Sequence, residues 1–251
     1  MKNKIAIFII SCTAAFCIQS CSYSEAGLGD NMSFGEGTGG SMARFTVANN
    51  HLYTVDQSNL KVFDLSSAES PEYKKVSPVG FGVETIFPLG DKLFLGTNSG
   101  MYIYDVSSPV SPRQISFYEH VVACDPVVSD GDYAYVTLSS VQQRCWRPVN
   151  ELQIIDLKNM QSPQLLKQYP MDGPRGLAIN NDTLWVCDNG LKVFDVSDKT
   201  NIVELFHFSD IPAYDVILDN NRALVIGEAG FTQYILEADT IRKLSEINIE
   251  L

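Results

Sequence analysis

Basic side chains are scarce in this chain: 18 lysines and arginines stand against 30 aspartates and glutamates, a net charge of −12. Phosphate binding requires clustered Lys and Arg, so a nucleic-acid function is excluded at the outset. Helical periodicity is missing as well. No segment beyond residue 20 repeats apolar residues at i, i+3, i+4 and i+7, which excludes helical bundles and α/β folds. Histidine occurs only at His51, His120 and His207, at no spacing that makes a zinc site. There is no Gly-x-Ser-x-Gly elbow, no His-Glu-x-x-His helix and no phosphate-cradling loop opening a helix. No catalytic residue, cofactor or metal is expected on these grounds.

Long hydrophobic runs are absent too. Met1–Lys4 is a short basic head, and the apolar residues from Ile5 to Ile10 and Thr13 to Phe16 are too few to span a bilayer as a mature helix. Together they read as an export signal over residues 1–20. The signal closes on Ile18-Gln19-Ser20-Cys21, which resembles a bacterial lipobox and implies that Cys21 is lipidated and becomes the first mature residue. A multiply acylated cysteine anchors stably where one myristoyl chain does not. The expected address is the bacterial cell envelope, at the outer membrane or cell surface rather than the inner membrane, with the membrane a partner through the lipid. Cleavage removes Lys2 and Lys4 and no acid, leaving 16 basic against 30 acidic residues, or −14. Residues 21–41 are Gly-rich, with Gly35, Gly37, Gly39 and Gly40 nearly alternating, and read as a tether.

What is present from Met42 onward is a repeat. Leu60-Lys61-Val62-Phe63-Asp64-Leu65-Ser66-Ser67 reads as a strand running into a turn, and similar stretches end at Asp105, Asp156 and Asp195. Seven residues beyond each aspartate stand Pro71, Pro112, Pro163 and Ile202. The intervals between aspartates are 41, 51 and 39 residues. With 45% hydrophobic residues the chain builds one sizeable body. It divides into units 42–80, 82–120, 123–171, 173–210 and 212–251, each with four short strand signals separated by Gly, Asn and Asp turns. A period near forty with four strands per unit predicts an all-β, five-bladed β-propeller of four antiparallel strands per blade, over residues 42–251. In the fifth unit Leu236 and Lys243 stand where the aspartate and proline are expected. With the innermost strand first in each unit, closure is expected from blade packing without a shared strand.

Gly-Leu-Lys-Val-Phe-Asp-Val-Ser at 190–197 and Leu-Gln-Ile-Ile-Asp-Leu at 152–157 resemble the LVIVD repeat, found in exported bacterial propeller proteins. The resemblance implies a propeller and an extracytoplasmic setting, with no established chemistry and no catalytic residues to transfer.

The marker aspartates read as turn residues, each accepting backbone N–H bonds from the residues that follow. Asp130-Gly131-Asp132 reads as a hairpin turn, lacking the ligand pattern of a calcium loop. What does not repeat is more informative. The innermost strands begin at Ala43-Arg44, Glu84-Thr85, Asp125-Pro126, Arg175-Gly176 and Tyr214-Asp215, placing Arg44, Glu84, Asp125, Arg175, Tyr214 and Asp215 at one mouth of the central channel. The insertion Leu138–Glu151 carries Trp146 and Arg147, residue types enriched at binding hot spots, on a long loop of the same face. Cys12 and Cys17 leave with the signal, so Cys124, Cys145 and Cys187 remain in an exported body. A Cys124–Cys145 bridge is expected, with Cys187 the rival partner; closing about twenty residues is worth roughly 3 kcal/mol. These residues make the chain a binding or scaffold module for an envelope protein or a glycan. The alternative is a hydrolase or lyase using Glu84, Asp125 or Asp215 on a glycan or small polar substrate, for which two carboxylates about 5 to 9.5 Å apart would be required.

Overall fold

The aspartate that marks each repeat closes a turn. A computed structural model describes residues 39–67, 69–120, 126–140, 149–228, 230–237 and 240–249. In it the N–H two residues beyond each marker donates to the carboxylate: Ser66 to Asp64 (2.7 Å), Ser107 to Asp105 (2.9 Å), Lys158 to Asp156 (2.9 Å) and Ser197 to Asp195 (2.8 Å). These are Asx-turns. A second bond tightens each: Ser70 N–H to Ser67, Ser111 to Ser108, Ser162 to Asn159 and Asn201 to Asp198. Proline, with no N–H to satisfy and φ already fixed, suits the next position. The outer strand then begins one residue later, at Glu72, Arg113, Gln164 and Val203.

Among the described residues twenty strands result, in five four-stranded sheets that follow one another along the chain. Blade 1 holds β1 (Phe45–Ala48), β2 (His51–Val55), β3 (Asn59–Asp64) and β4 (Glu72–Pro78). Blade 2 holds β5 (Val83–Leu89), β6 (Lys92–Thr97), β7 (Gly100–Asp105) and β8 (Arg113–Glu119). Blade 3 holds β9 (Val127–Ser129), β10 (Tyr133–Leu138), β11 (Glu151–Asp156) and β12 (Gln164–Pro170). Blade 4 holds β13 (Leu177–Asn180), β14 (Thr183–Cys187), β15 (Leu191–Asp195) and β16 (Val203–Phe208). Blade 5 holds β17 (Ala213–Asp219), β18 (Arg222–Gly227), β19 (Gly230–Glu237) and β20 (Thr240–Asn248). Neighbours within a sheet pair antiparallel in chain order, and among the described residues no strand is shared between sheets. The first strand of each blade packs on that of the next, from β1 through β5, β9 and β13 to β17, so the first strands line the centre. The protein is a five-bladed β-propeller.

Every blade carries a bulge where its third strand meets its fourth, with one outer residue unpaired: Lys74, Ile115, Leu166, Leu205 and Leu244. Bulges add local right-handed twist, which each sheet needs to splay outward from the ring. The register also corrects the reading of blade 5. Lys92 opposes Asp105 in blade 2, and the corresponding Arg222 opposes Ile235. Leu236 N–H bonds Asn221 just as Leu65 N–H bonds Asn50, one residue past the marker. Ile235, not Leu236, therefore occupies the aspartate's place; the missing turn residues hid the one-residue offset.

Four apolar clusters hold the blades together. They join blades 1 and 2 around Tyr53, Leu60 and Leu93, blades 2 and 3 around Phe94, Ile103 and Val136, blades 3 and 4 around Tyr135, Ile154 and Val186, and blades 4 and 5 around Trp185, Val216 and Val225. Hydroxyl groups reinforce three of these joints at one repeated position, the carbonyl four residues past the marker aspartate. Tyr53 donates to Pro109 O (3.1 Å), Ser116 to Met160 O (2.6 Å) and Tyr169 to Lys199 O (3.2 Å). Among the described residues no buried apolar cluster joins blade 5 to blade 1. There the contact is polar: Gly40, Ser41 and Met42, just ahead of β1, reach the carboxylate of Asp215.

Candidate functional site

The channel mouth expected from the repeats is built by two devices. In blades 2 and 5 the innermost strand opens with a bulge, and the extra residues are Glu84 and Tyr214. In blade 4 the chain ahead of β13 is strapped by Arg175 N–H to Cys187 O (2.8 Å) and Cys187 N–H to Gly176 O (2.9 Å). Neighbouring blades then meet at these openings. Ile86 N–H donates to Ala43 O (2.9 Å), Thr137 Oγ to Arg175 O (2.6 Å) and Gly176 N–H to Tyr214 O (3.0 Å). The backbone of the mouth is thus occupied with joining blades, and its side chains are left to face the opening.

Three of the expected residues come together. The Arg175 guanidinium lies over the Tyr214 ring, 4.3 Å from its centroid, a cation–π contact worth about 0.5–2 kcal/mol depending on exposure. Both line an open cavity of about 310 Å³ whose other walls include Asp172, Cys187, Asn189 and Pro212. Among the described residues no carboxylate forms an ion pair with Arg175. Its charge faces the cavity half-buried.

Asp215 lies behind this stack, 7% exposed. Its carboxylate accepts from Ser41 Oγ (3.0 Å), Val216 N–H (3.0 Å) and Met42 N–H (3.3 Å). Two glycines make the approach possible. A Cβ on Gly176 would stand 2.1 Å from one carboxylate oxygen, and one on Gly40 2.2 Å from the other. Burial pushes the Asp215 carboxyl above its ordinary range, and the Ser41, Met42 and Val216 bonds oppose that rise. Asp215 is therefore spent on joining the ends of the ring.

Cys187, at the end of β14, is a free, fully buried thiol. Burial pushes it well above the usual thiol range; the nearby Asp215 charge adds to this and Arg175 opposes it. A thiol so placed is not a nucleophile. Arg44 is exposed and Glu84 half-buried, and neither is among the residues that line the Arg175 cavity. Asp125, Trp146, Arg147, Cys124, Cys145 and Cys21 lie outside the described residues. The insertion's flanks are described, however. Ser140 N–H and Oγ donate to Asn150 Oδ1 (2.8 and 2.9 Å), and Asn150 Nδ2 donates to Asp172 O (2.8 Å). Ser140 and Asn150 thus stand beside Asp172, one of the residues that line the Arg175 cavity.

Two residues beside the cavity, Asp188 and Asn189, were not expected from the repeat, although Asn189 lines it. Asp188 is buried and accepts from Lys192 Nζ (2.8 Å) and from the N–H groups of Gly173 (2.7 Å) and Asp172 (3.1 Å), which fixes the 172–173 loop over blade 4. Asn189 takes a left-handed conformation (φ 48°), and His207 Nε2 donates to its carbonyl (2.8 Å). An Asp-Asn-Gly turn at 188–190 was the only signal available. Elsewhere the expectations for turns hold: Asp130 accepts Asp132 N–H (3.1 Å), Tyr133 N–H (2.8 Å) and Tyr135 OH (2.8 Å). Among the described residues no group of His, Cys, Asp or Glu is placed to hold a metal ion.

Comparison with known proteins bears on the fold. Residues 175–210, the whole of blade 4, match the LVIVD repeat. No curated protein matches the chain. Solved structures that resemble it include a putative 6-phosphogluconolactonase from Bacteroides fragilis, 9% identical, with 82% of this chain covering 70% of that one at a TM-score of 0.61. BamB from Moraxella catarrhalis is 11% identical, with 74% covering 56% at 0.54. A structure of Saccharomyces cerevisiae Dbp5 bound to Nup159 contains a chain 17% identical, with 81% covering 61% at 0.50. At these identities the likeness is one of fold, and the chain spans between 56% and 70% of their length. Blade 4 matches the LVIVD repeat, and the chain is a five-bladed β-propeller.

Proposed function

We propose that the protein is a binding module of the bacterial cell envelope, anchored through a lipid on Cys21, and that its recognition face is the end of the ring holding Arg175 and Tyr214. The observation that carries this reading is the Arg175–Tyr214 stack beside an open cavity. A guanidinium held over an aromatic ring, with no ion-paired acid among the described residues, suits a ligand that brings a carboxylate, a carbonyl or a polar sugar edge. The partner class is an envelope protein or a glycan. Similarity to a chain in a complex of Dbp5 with Nup159 is in keeping with a propeller that binds protein. Trp146 and Arg147, outside the described residues, belong to this reading as further contacts. The hydrolase or lyase reading gains no support from Asp215, whose carboxylate is engaged in closing the ring.

Affinity capture from envelope extracts tests the proposal, using wild type, Arg175→Ala, Tyr214→Ala and Trp146→Ala. Loss of the same partner in all three variants, with melting temperature unchanged, supports a single face. Capture unaffected by Arg175→Ala removes it. Metabolic labelling with a fatty acid tests the anchor, since a Cys21→Ala chain that labels as strongly as wild type has no lipid there.

A further inference from the structure

The four packed joints of this ring show what a blade face looks like when it is satisfied. In β10, Ala134 and Val136 face blade 2 and Tyr135 faces blade 4, and all are buried. Blade 5 departs from this on one side only. On β18, Ala223 and Val225 enter the core with blade 4, so the alternation of a strand turns Leu224 and Ile226 the other way. Ile226 is 42% exposed. Its cross-strand partner Phe231 and the next in line, Ile247 (64% exposed), extend the same face.

Blade 1 presents the matching wall. Tyr53 and Val55 enter the core with blade 2, which turns Leu52 toward blade 5 beside Val47 and Phe63, its partners across the strands. Phe45, on the same face of β1, is 63% exposed. At the inner end of these two faces lies a cleft of about 330 Å³, lined mainly by apolar atoms of residues that include Met42, Ala43, Tyr214, Ile217 and Ile226, with Asp215 among them.

We propose that this cleft between blades 5 and 1 is a docking site for a β-sheet segment of a partner protein, one that presents branched aliphatic side chains at alternate positions. The chemistry of the occupant follows from the four filled joints, where faces of the same kind are covered by another sheet of Val, Leu and Ile. Packed sheets stand about 10 Å apart with side chains interdigitated, and an apolar face left to water forgoes about 25 cal/mol per Å². The longer propellers that this chain resembles are in keeping with the idea, because this chain covers only 56–70% of their length. Tyr214 lines both this cleft and the Arg175 cavity, whereas Arg175 lines only the latter.

A photo-crosslinking residue, p-benzoylphenylalanine, placed at Ile226 in the full chain and expressed in the source cells, tests this, with Leu205 on the outer strand as control. The expected result is an adduct at position 226, absent at 205, on one peptide of another protein with apolar residues at every second position. That protein, purified, should bind wild type and Arg175→Ala alike, and at least tenfold more weakly to Ile226→Asp or Phe45→Asp variants that retain the wild-type melting curve. An adduct with lipid, with a second copy or with the same chain overturns the proposal, as does no adduct, or binding indifferent to both aspartates.

Discussion

Ser41 Oγ donates to Asp215 Oδ1 at 3.0 Å across 174 positions of sequence, and accepts from Leu177 N–H at 2.8 Å. One hydroxyl so ties blade 5, blade 4 and the chain leading into blade 1. The hub is polar and buried, and it stands where the other four joints have an apolar core.

Replacing Asp215 by Ala should lower stability by roughly 2–3 kcal/mol, because Ser41 Oγ and the Met42 and Val216 N–H groups lose a charged acceptor. Gly176→Ala should destabilise similarly, since its Cβ falls on that carboxylate. Chemical denaturation of both variants measures this.

The pH dependence at Asp215 has a definite sign. Its folded pKa is raised by burial, so its contribution is fully present below the ordinary carboxylate range and is lost as pH rises through the folded value. Asp215→Asn abolishes that ionisation. The stability of Asp215→Asn relative to wild type should therefore improve as pH is raised from about 3 to about 7.

The turn aspartates behave in the opposite sense. The Ser66 hydroxyl and N–H hold Asp64 down at about 2, and bonds from Ser107 and Ser197 likewise lower Asp105 and Asp195. Their stabilisation is present above the unfolded carboxylate range and is lost as pH falls toward the folded values. Carboxyl NMR titration should find Asp64 still ionised at pH 3.

Two neighbouring residues of β18 separate a filled joint from an unfilled one. Val225→Ala should cost about 1–3 kcal/mol, as burial in the core with blade 4 requires, whereas Ile226→Ala should fall within about 0.5 kcal/mol. Equal losses would mean that the joint between blades 5 and 1 is packed after all.

Cys187 should resist alkylation at pH 8 in the native protein and react fully in denaturant. Burial and the Asp215 charge both disfavour its thiolate.

The ring was legible because turn chemistry is local. Asp64, Ser66 and Pro71 lie within eight residues, and their bonds to one another repeat wherever the same residue types recur at those offsets. The same locality explains the slip at Leu236: without the aspartate and proline only cross-strand pairing fixes the register, and pairing is not written in a single strand. Of the site, Arg175, Tyr214 and Asp215 could be found as departures from the repeat. That Arg175 would lie on Tyr214, while Asp215 turned inward to Ser41, depends on bulges and on Gly40 and Gly176. Asp188 escaped notice for another reason: besides Lys192, its partners are the backbone N–H groups of Asp172 and Gly173, which have no signature in sequence.

The carbonyls of Pro109, Met160 and Lys199, each taking a hydroxyl from the preceding blade, have a consequence for how the molecule comes apart. Blades joined this way, and by apolar cores at four places, form a nearest-neighbour array in which an interior unit cannot melt without breaking both its contacts. The polar link at Asp215 gives the circle two ends. Thermal opening should start at blades 1 and 5 and travel inward to blade 3, and amide exchange should be fastest in β1 and β18 and slowest in β10 and β11.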